Sequence, residues 1–113
     1  MTISEFIDKL IANHQEISFQ EIIETIDMHY NFTPTQFTNG NQENKAGENS
    51  GSCKLFSFAK LHNLNKEQTL LCFGDYYKGV LNTPDGTDHQ NIRNFIKTGW
   101  EGISFAKTTL SKK

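Results

Sequence analysis

The stretch FTNGNQENKAGENSGSCK, Phe37 to Lys54, holds four asparagines, two glutamates and three glycines, and Ala46 is the only apolar residue between Phe37 and Cys53. Asn39-Gly40 inside it is a turn dipeptide. Asparagine and glycine tolerate left-handed backbone and bond locally to it, so the composition is that of a loop. Pro34 ends helical continuity just before it. The sequence therefore predicts a loop from Asn31 to Ser52 with helices on both sides. A loop this long inside a compact domain is either a solvated link or a working surface.

Upstream of the loop, Thr2 and Glu5 form a capping box, and Ile3, Phe6, Ile7, Leu10 and Ile11 recur at three and four. A helix over 3–13 follows. Ser18 and Glu21 repeat the pattern ahead of Phe19, Ile22, Ile23, Ile26 and Tyr30, giving a second helix over 19–30 and a helical hairpin. Downstream, Leu55, Phe56, Phe58 and Ala59 predict a helix from about Ser52 to Leu61. Asn65 and Gln68 cap a fourth helix carrying Leu70, Phe73, Tyr77 and Val80, weakened at Gly74. Pro84-Asp85-Gly86 is a turn, Thr87 or Asp88 caps a fifth helix with Ile92, Phe95 and Ile96, and Gly99 stops it. Ile103-Ser104-Phe105 reads as a short extended segment, and TTLSKK as a frayed end. The predicted fold class is all-α: one domain over 1–113, with a hairpin at 1–30, a polar loop at 31–52, a helical remainder at 53–105 and a tail at 106–113.

The 113 residues suffice for one core. Apolar content is 35%, below the usual share, and nine phenylalanines offset part of the deficit through their large buried area. The net charge of −2 gives no field that would draw nucleic acid. Residues 1–50 carry eight acids against Lys9 and Lys45, while 51–113 carry nine bases against five acids. The halves attract one another within a domain or face two partners. Two cysteines without a Cys-x-x-Cys suit a reducing compartment. The N-terminus lacks a basic n-region and a long apolar run, and no stretch approaches the roughly 18 apolar residues of a membrane span. A cytoplasmic monomer with no membrane or nucleic-acid partner is expected.

Four chemistries compete for the polar residues. Cys53 follows Gly51-Ser52 at a helix start, where unpaired N–H groups and the macrodipole favour a thiolate. His89 with Asp88 would complete a cysteine–histidine–carboxylate set for an amide or ester. The bland alternative is a small packed cysteine and a solvated first-turn histidine. A metal set of Cys53, His62, Cys72 and His89 has separations that match no zinc signature, and Asn39, Asn41, Glu43 and Glu48 lack the calcium-loop order. No Gly-x-Gly-x-x-Gly and no P-loop is present, so no cofactor is expected. Amides beside aromatic edges suit a polar ligand or a protein partner. Phe37, Tyr76, Tyr77 and Trp100 are the available platforms, and the bland reading of Trp100 is a cap on the core beneath the C-terminal turn.

Three stretches carry a resemblance: FTPTQFTNGNQENKAGENSGSCKLFSFAKL (Phe32–Leu61), TLLCFGDYY (Thr69–Tyr77) and NTPDGTDHQNIRNFIKTGW (Asn82–Trp100). Together they resemble the HopJ family of type III effector proteins of gammaproteobacteria. The resemblance implies delivery by a type III apparatus into a host plant cell, and it transfers no reaction and no catalytic residue. It marks the polar loop and the Asp85–Trp100 segment as family signatures that meet in one site. The residues expected to bind there are Asn39, Asn41, Glu43, Glu48, Asn49, Asp75, Asp85, Asn91, Arg93 and Trp100. Two functions remain open: binding of an unknown protein or polar small-molecule partner through that surface, or a thiol hydrolase or acyl transferase using Cys53 and His89.

Overall fold

The structure is a computed structural model that describes residues 2–113. Six helices and five short strands follow one another: α1 (Ile3–Ala12), α2 (Phe19–His29), β1 (Tyr30–Phe32), β2 (Phe37–Asn39), β3 (Gln42–Asn44), α3 (Ser50–Leu61), α4 (Lys66–Leu71), α5 (Asp75–Asn82), α6 (Gln90–Thr98), β4 (Ile103–Phe105) and β5 (Leu110–Lys112), with single 3₁₀ turns at His14–Glu16 and Gly99–Gly102. The fold is therefore α+β, and the expectation of an all-α chain is corrected. Two antiparallel sheets make the difference, one pairing β1 with β5 and the other ordered β3-β2-β4.

The second sheet grows out of the stretch read as loop. Phe37 pairs with Asn44 and Asn39 with Gln42, so Gly40 and Asn41 form a two-residue hairpin turn. Gly40 has φ of +63°, as the first central position of such a turn demands. On the other edge of β2, Phe37 pairs with Phe105 and Asn39 with Ile103, which places the expected extended segment in the sheet as β4. The tail is likewise no frayed end. Leu110 and Thr109 are buried, and Tyr30, Asn31 and Phe32 pair with Lys112, Ser111 and Leu110. The unpaired backbone of β1 is the physical reason, because a strand needs a neighbour for its N–H and C=O groups.

The helical expectations fare better where capping and periodicity agree. Thr2 closes a capping box with Glu5, and the Ser18 side chain accepts from the Glu21 N–H. Asn65 caps α4 with Gln68 in the same manner. The predicted fourth helix is split, however, into α4 and α5. At Gly74 the backbone takes φ of +58° and ψ of −126°, a conformation that only glycine adopts cheaply. A Cβ there would stand 3.1 Å from the Ile17 carbonyl oxygen and 3.2 Å from the Phe19 nitrogen. The kink lets α5 start directly against the entrance to α2.

Helix α3 is the hub. Cys53, Leu55, Phe56, Ser57, Phe58 and Ala59 are all buried on it, as expected of a helix enclosed on most sides. Phe6 of α1 meets Phe58 edge-on, and Phe56 touches the rings of Phe37, Phe73, Phe95 and Trp100. Ile22 and Ile26 of α2 complete the core. Phe6, Phe37, Phe56, Phe58, Phe73 and Phe95 thus build a core of contacting rings around α3, and the β3-β2-β4 sheet lies against α6 on its flank.

Candidate functional site

The hairpin is held to α6 by amides. Asn39 Nδ2 donates to the Asn91 carbonyl oxygen at 2.7 Å and to Asn91 Oδ1 at 3.0 Å. Asn91 Nδ2 donates to Asn44 Oδ1 at 3.1 Å, and Asn49 Nδ2 donates to the same oxygen at 2.7 Å. One turn along α6, Asn94 Nδ2 donates to Gln42 Oε1 at 3.2 Å. Asn39, Asn44, Asn91 and Asn94 are buried. Burial of an amide is tolerable only when its donors and acceptors are matched, and here they match one another except at Asn39 Oδ1, which has no partner. The residue types that made the stretch look like solvated loop are its interior.

Beside this ladder lies a cavity of about 470 Å³, lined by Phe19, Gln42, Asn49, Ser52, Phe73, Tyr76, His89, Gln90, Asn91 and Ile92. Its apolar side is a stack: Phe19 and Phe73 are parallel at 5.8 Å, and Tyr76 stands edge-on to Phe19 at 5.4 Å. The His89 ring lies 5.2 Å from that of Tyr76. Its polar side contains the first turns of α3 and α6. The N-cap residues of these helices, Asn49 and His89, are both left-handed, with φ of +51°, and neither makes a side-chain cap. Helices α1, α2 and α4 are side-chain capped. Uncapped first turns present backbone N–H groups and the positive end of the helix dipole. Gly51 is required nearby, since a Cβ on it would come within 2.8 Å of the Phe19 ring.

The sequence-derived candidates separate into groups. Asn49, Asn91 and His89 line the cavity, and Tyr76 does so as the one aromatic platform of the four. Asn39 is a buried strut, and Phe37 is buried in the core. Asn41 is exposed at the hairpin turn and Glu43 on β3. Glu48 accepts from the Lys45 backbone N–H at 2.9 Å, closing a local turn. Asp75 is fully exposed, 3.8 Å from Lys78, and Asp85 is exposed too. Arg93 is buried and does structural work: its guanidinium donates to the carbonyl oxygens of Asp88 and Thr83 and to the Asp88 carboxylate at 2.6 Å. That hydrogen bond holds the Asp88 carboxyl below its usual range. Trp100 is on another face, where its indole N–H donates to the Leu64 carbonyl at 3.0 Å and its ring stands edge-on to Phe95 and Phe56.

Cys53 and His89 are not partners. The Cys53 thiol is buried and donates to the Thr35 carbonyl at 3.8 Å, and burial pushes its pKa up. Cys53 does not line the cavity that His89 borders. Asp88, the third member of the expected set, is turned to Arg93 and stands 3.7 Å from His89 Nε2. A nucleophilic cysteine needs an exposed, electropositive setting. Alkylation of Cys53 in a Cys72→Ser background is therefore expected to be slow, with a midpoint above the free-thiol value of roughly 8.5, and unchanged by His89→Ala. Stopped-flow or mass-spectrometric labelling against pH measures it. Cys72 is buried more deeply, and its pKa is pushed up to about 12. Among the described residues, no three histidine, cysteine or acidic side chains gather as a metal site, and no helix is long and apolar enough to cross a membrane.

Phe19, Gln42, Ser52, Phe73, Gln90 and Ile92 are cavity residues that reasoning from the sequence missed. Phe19, Phe73 and Ile92 read there as core positions of their helices. In the structure the Phe19 ring borders the opening beside Gly51, and the Phe73 ring borders it just before Gly74.

The family model described as HopJ type III effector protein matches residues 3–110. The chain belongs to the HopJ family. The match to the HopJ model runs from the first residue of α1 to the first residue of β5. A solved crystal structure of a protein of unknown function, VPA0580, is 49% identical, covers 100% of this chain over 95% of its own, and superposes with a TM-score of 0.98. No curated protein matches.

Proposed function

We propose that this HopJ protein acts by binding, through the cavity between the hairpin, α6 and the start of α3. The ligand is a polar molecule or partner segment that carries an apolar group and a carbonyl or carboxylate. The apolar group rests on Phe19, Phe73 and Tyr76. The oxygen faces the uncapped first turns of α3 and α6, where backbone N–H groups favour negative charge. Gln42, Asn49, Ser52 and Gln90 supply side-chain hydrogen bonds. The observation that carries this reading is the convergence of the polar stretch and the Asp88–Asn91 segment on one partly apolar cavity of about 470 Å³, within the size range of small-molecule sites.

N-acetyl-phenylalanine combines the expected features, and N-acetyl-phenylalanine amide lacks the charge. Titrating each into ¹⁵N-labelled protein is expected to shift the amides of Gln42, Asn49, Ser52 and Gln90 saturably, with the acid binding more tightly. Tyr76→Ala is expected to weaken both. Shifts confined to other surfaces, or none at these amides, would overturn the proposal.

A further inference from the structure

A second cleft, of about 430 Å³, lies away from the amide ladder and is lined by Ser57, Lys60, Leu61, Phe105, Lys107, Thr108, Thr109 and Leu110. It forms where the chain leaves β4, turns through Lys107 and Thr108, and enters β5 across the C-terminal half of α3. Its charge is of one sign, with two lysines and no carboxylate among the lining residues. Lys60 Nζ stands 5.7 Å from the centre of the Phe105 ring, which fixes the ammonium at one wall. Lys107 is an exposed lining residue of the same cleft, whose floor carries hydroxyls. In that floor Thr109 donates to Ser57, and both residues are more than nine-tenths buried, at 5% and 6% exposure. Leu61, Phe105 and Leu110 give the cleft an apolar side.

We propose that this cleft is a binding site for a small phosphomonoester with an apolar body. Lysine ammoniums bind phosphate as point charges, and buried hydroxyls can turn a proton or a lone pair toward its oxygens. The ring and the two leucines accept the body. The volume fits a small molecule rather than a protein segment. The site is independent of the cavity at the amide ladder.

The test uses the intact protein at pH 7.5 and low salt, with phenyl phosphate as probe and inorganic phosphate and phenol as its two halves. Phenyl phosphate is expected to shift the amides of Ser57, Lys60, Phe105 and Thr109 saturably, more tightly than either half. The double variant Lys60→Gln, Lys107→Gln changes only exposed side chains, and it is expected to weaken binding about tenfold, roughly the size of 1.4 kcal/mol. Raising the salt is expected to weaken the wild type and to leave the variant nearly unaffected. Phenol binding as tightly as phenyl phosphate would overturn the proposal, as would affinity unchanged in the double variant. Shifts scattered over the many lysines of the chain would overturn it too.

Discussion

Phe56→Ala is expected to lower stability by about 4 kcal/mol, the usual cost of emptying a phenylalanine site in a core. Phe56 is fully buried on α3, and its ring contacts those of Phe37 on β2, Phe73 after α4, Phe95 on α6 and Trp100 in the 3₁₀ turn. Its neighbours come from four separate segments that cannot all relax toward one void. The loss is therefore expected near the upper part of the range rather than at the level of a surface-near ring. Urea unfolding followed by far-ultraviolet circular dichroism measures it, and an unchanged slope with a lower midpoint is the expected form. A change below about 1 kcal/mol would mean that the core repacks freely around the gap.

Asn91→Ala is expected to cost about 2–3 kcal/mol, through a different mechanism. The substitution leaves Asn39 Nδ2 only the Asn91 carbonyl as acceptor, and it removes the acceptor and donor that the Asn91 side chain presents to Asn44. Buried polar groups without partners cost roughly 1–3 kcal/mol each. Asn39 Oδ1 already lacks a partner in the fold, so this corner has little further tolerance. The loss should be local in character. Hydrogen exchange of the β2–β3 amides is expected to rise well before that of α1 or α2. Uniform acceleration across the molecule would instead make the ladder part of the global unit. Asn91→Ala also removes a lining residue of the cavity, so the binding titration belongs on the milder Tyr76→Ala variant.

These two residues show what the sequence disclosed and what it hid. Phe56 lies in an apolar run at helical spacing, and α3 was legible from it. The starts of α1, α2 and α4 were legible from Thr2, Ser18 and Asn65, because caps are local chemistry. The hairpin was not. Its strands are three residues long, and of the side chains that point inward, Phe37, Asn39 and Asn44, periodicity counts two as polar. Only the pairing with Asn91, about fifty residues away, makes their burial favourable, and no local pattern reports it. The Asn39-Gly40 turn was visible, but without apolar flanks it read as punctuation rather than as a hairpin. The polar stretch meets the Asp85–Trp100 segment through the hydrogen bonds of Asn39 and Asn44 to Asn91. Within that segment Arg93 clamps a turn and Trp100 packs on the core rings.

The pairing of β1 with β5 bears on the order in which the molecule assembles. Tyr30 and Lys112 are neighbours, as are Thr33 and Thr109, yet about eighty residues separate them along the chain. The helices before and after them can form from local contacts. The ribbon must wait until both of its ends have been carried together, and contacts of such separation slow folding. The Thr109–Ser57 hydroxyl pair and the lysine-lined cleft above it depend on that same late arrival. The last strand is thus a latch, and a refolding chain acquires its second cleft only when the latch closes.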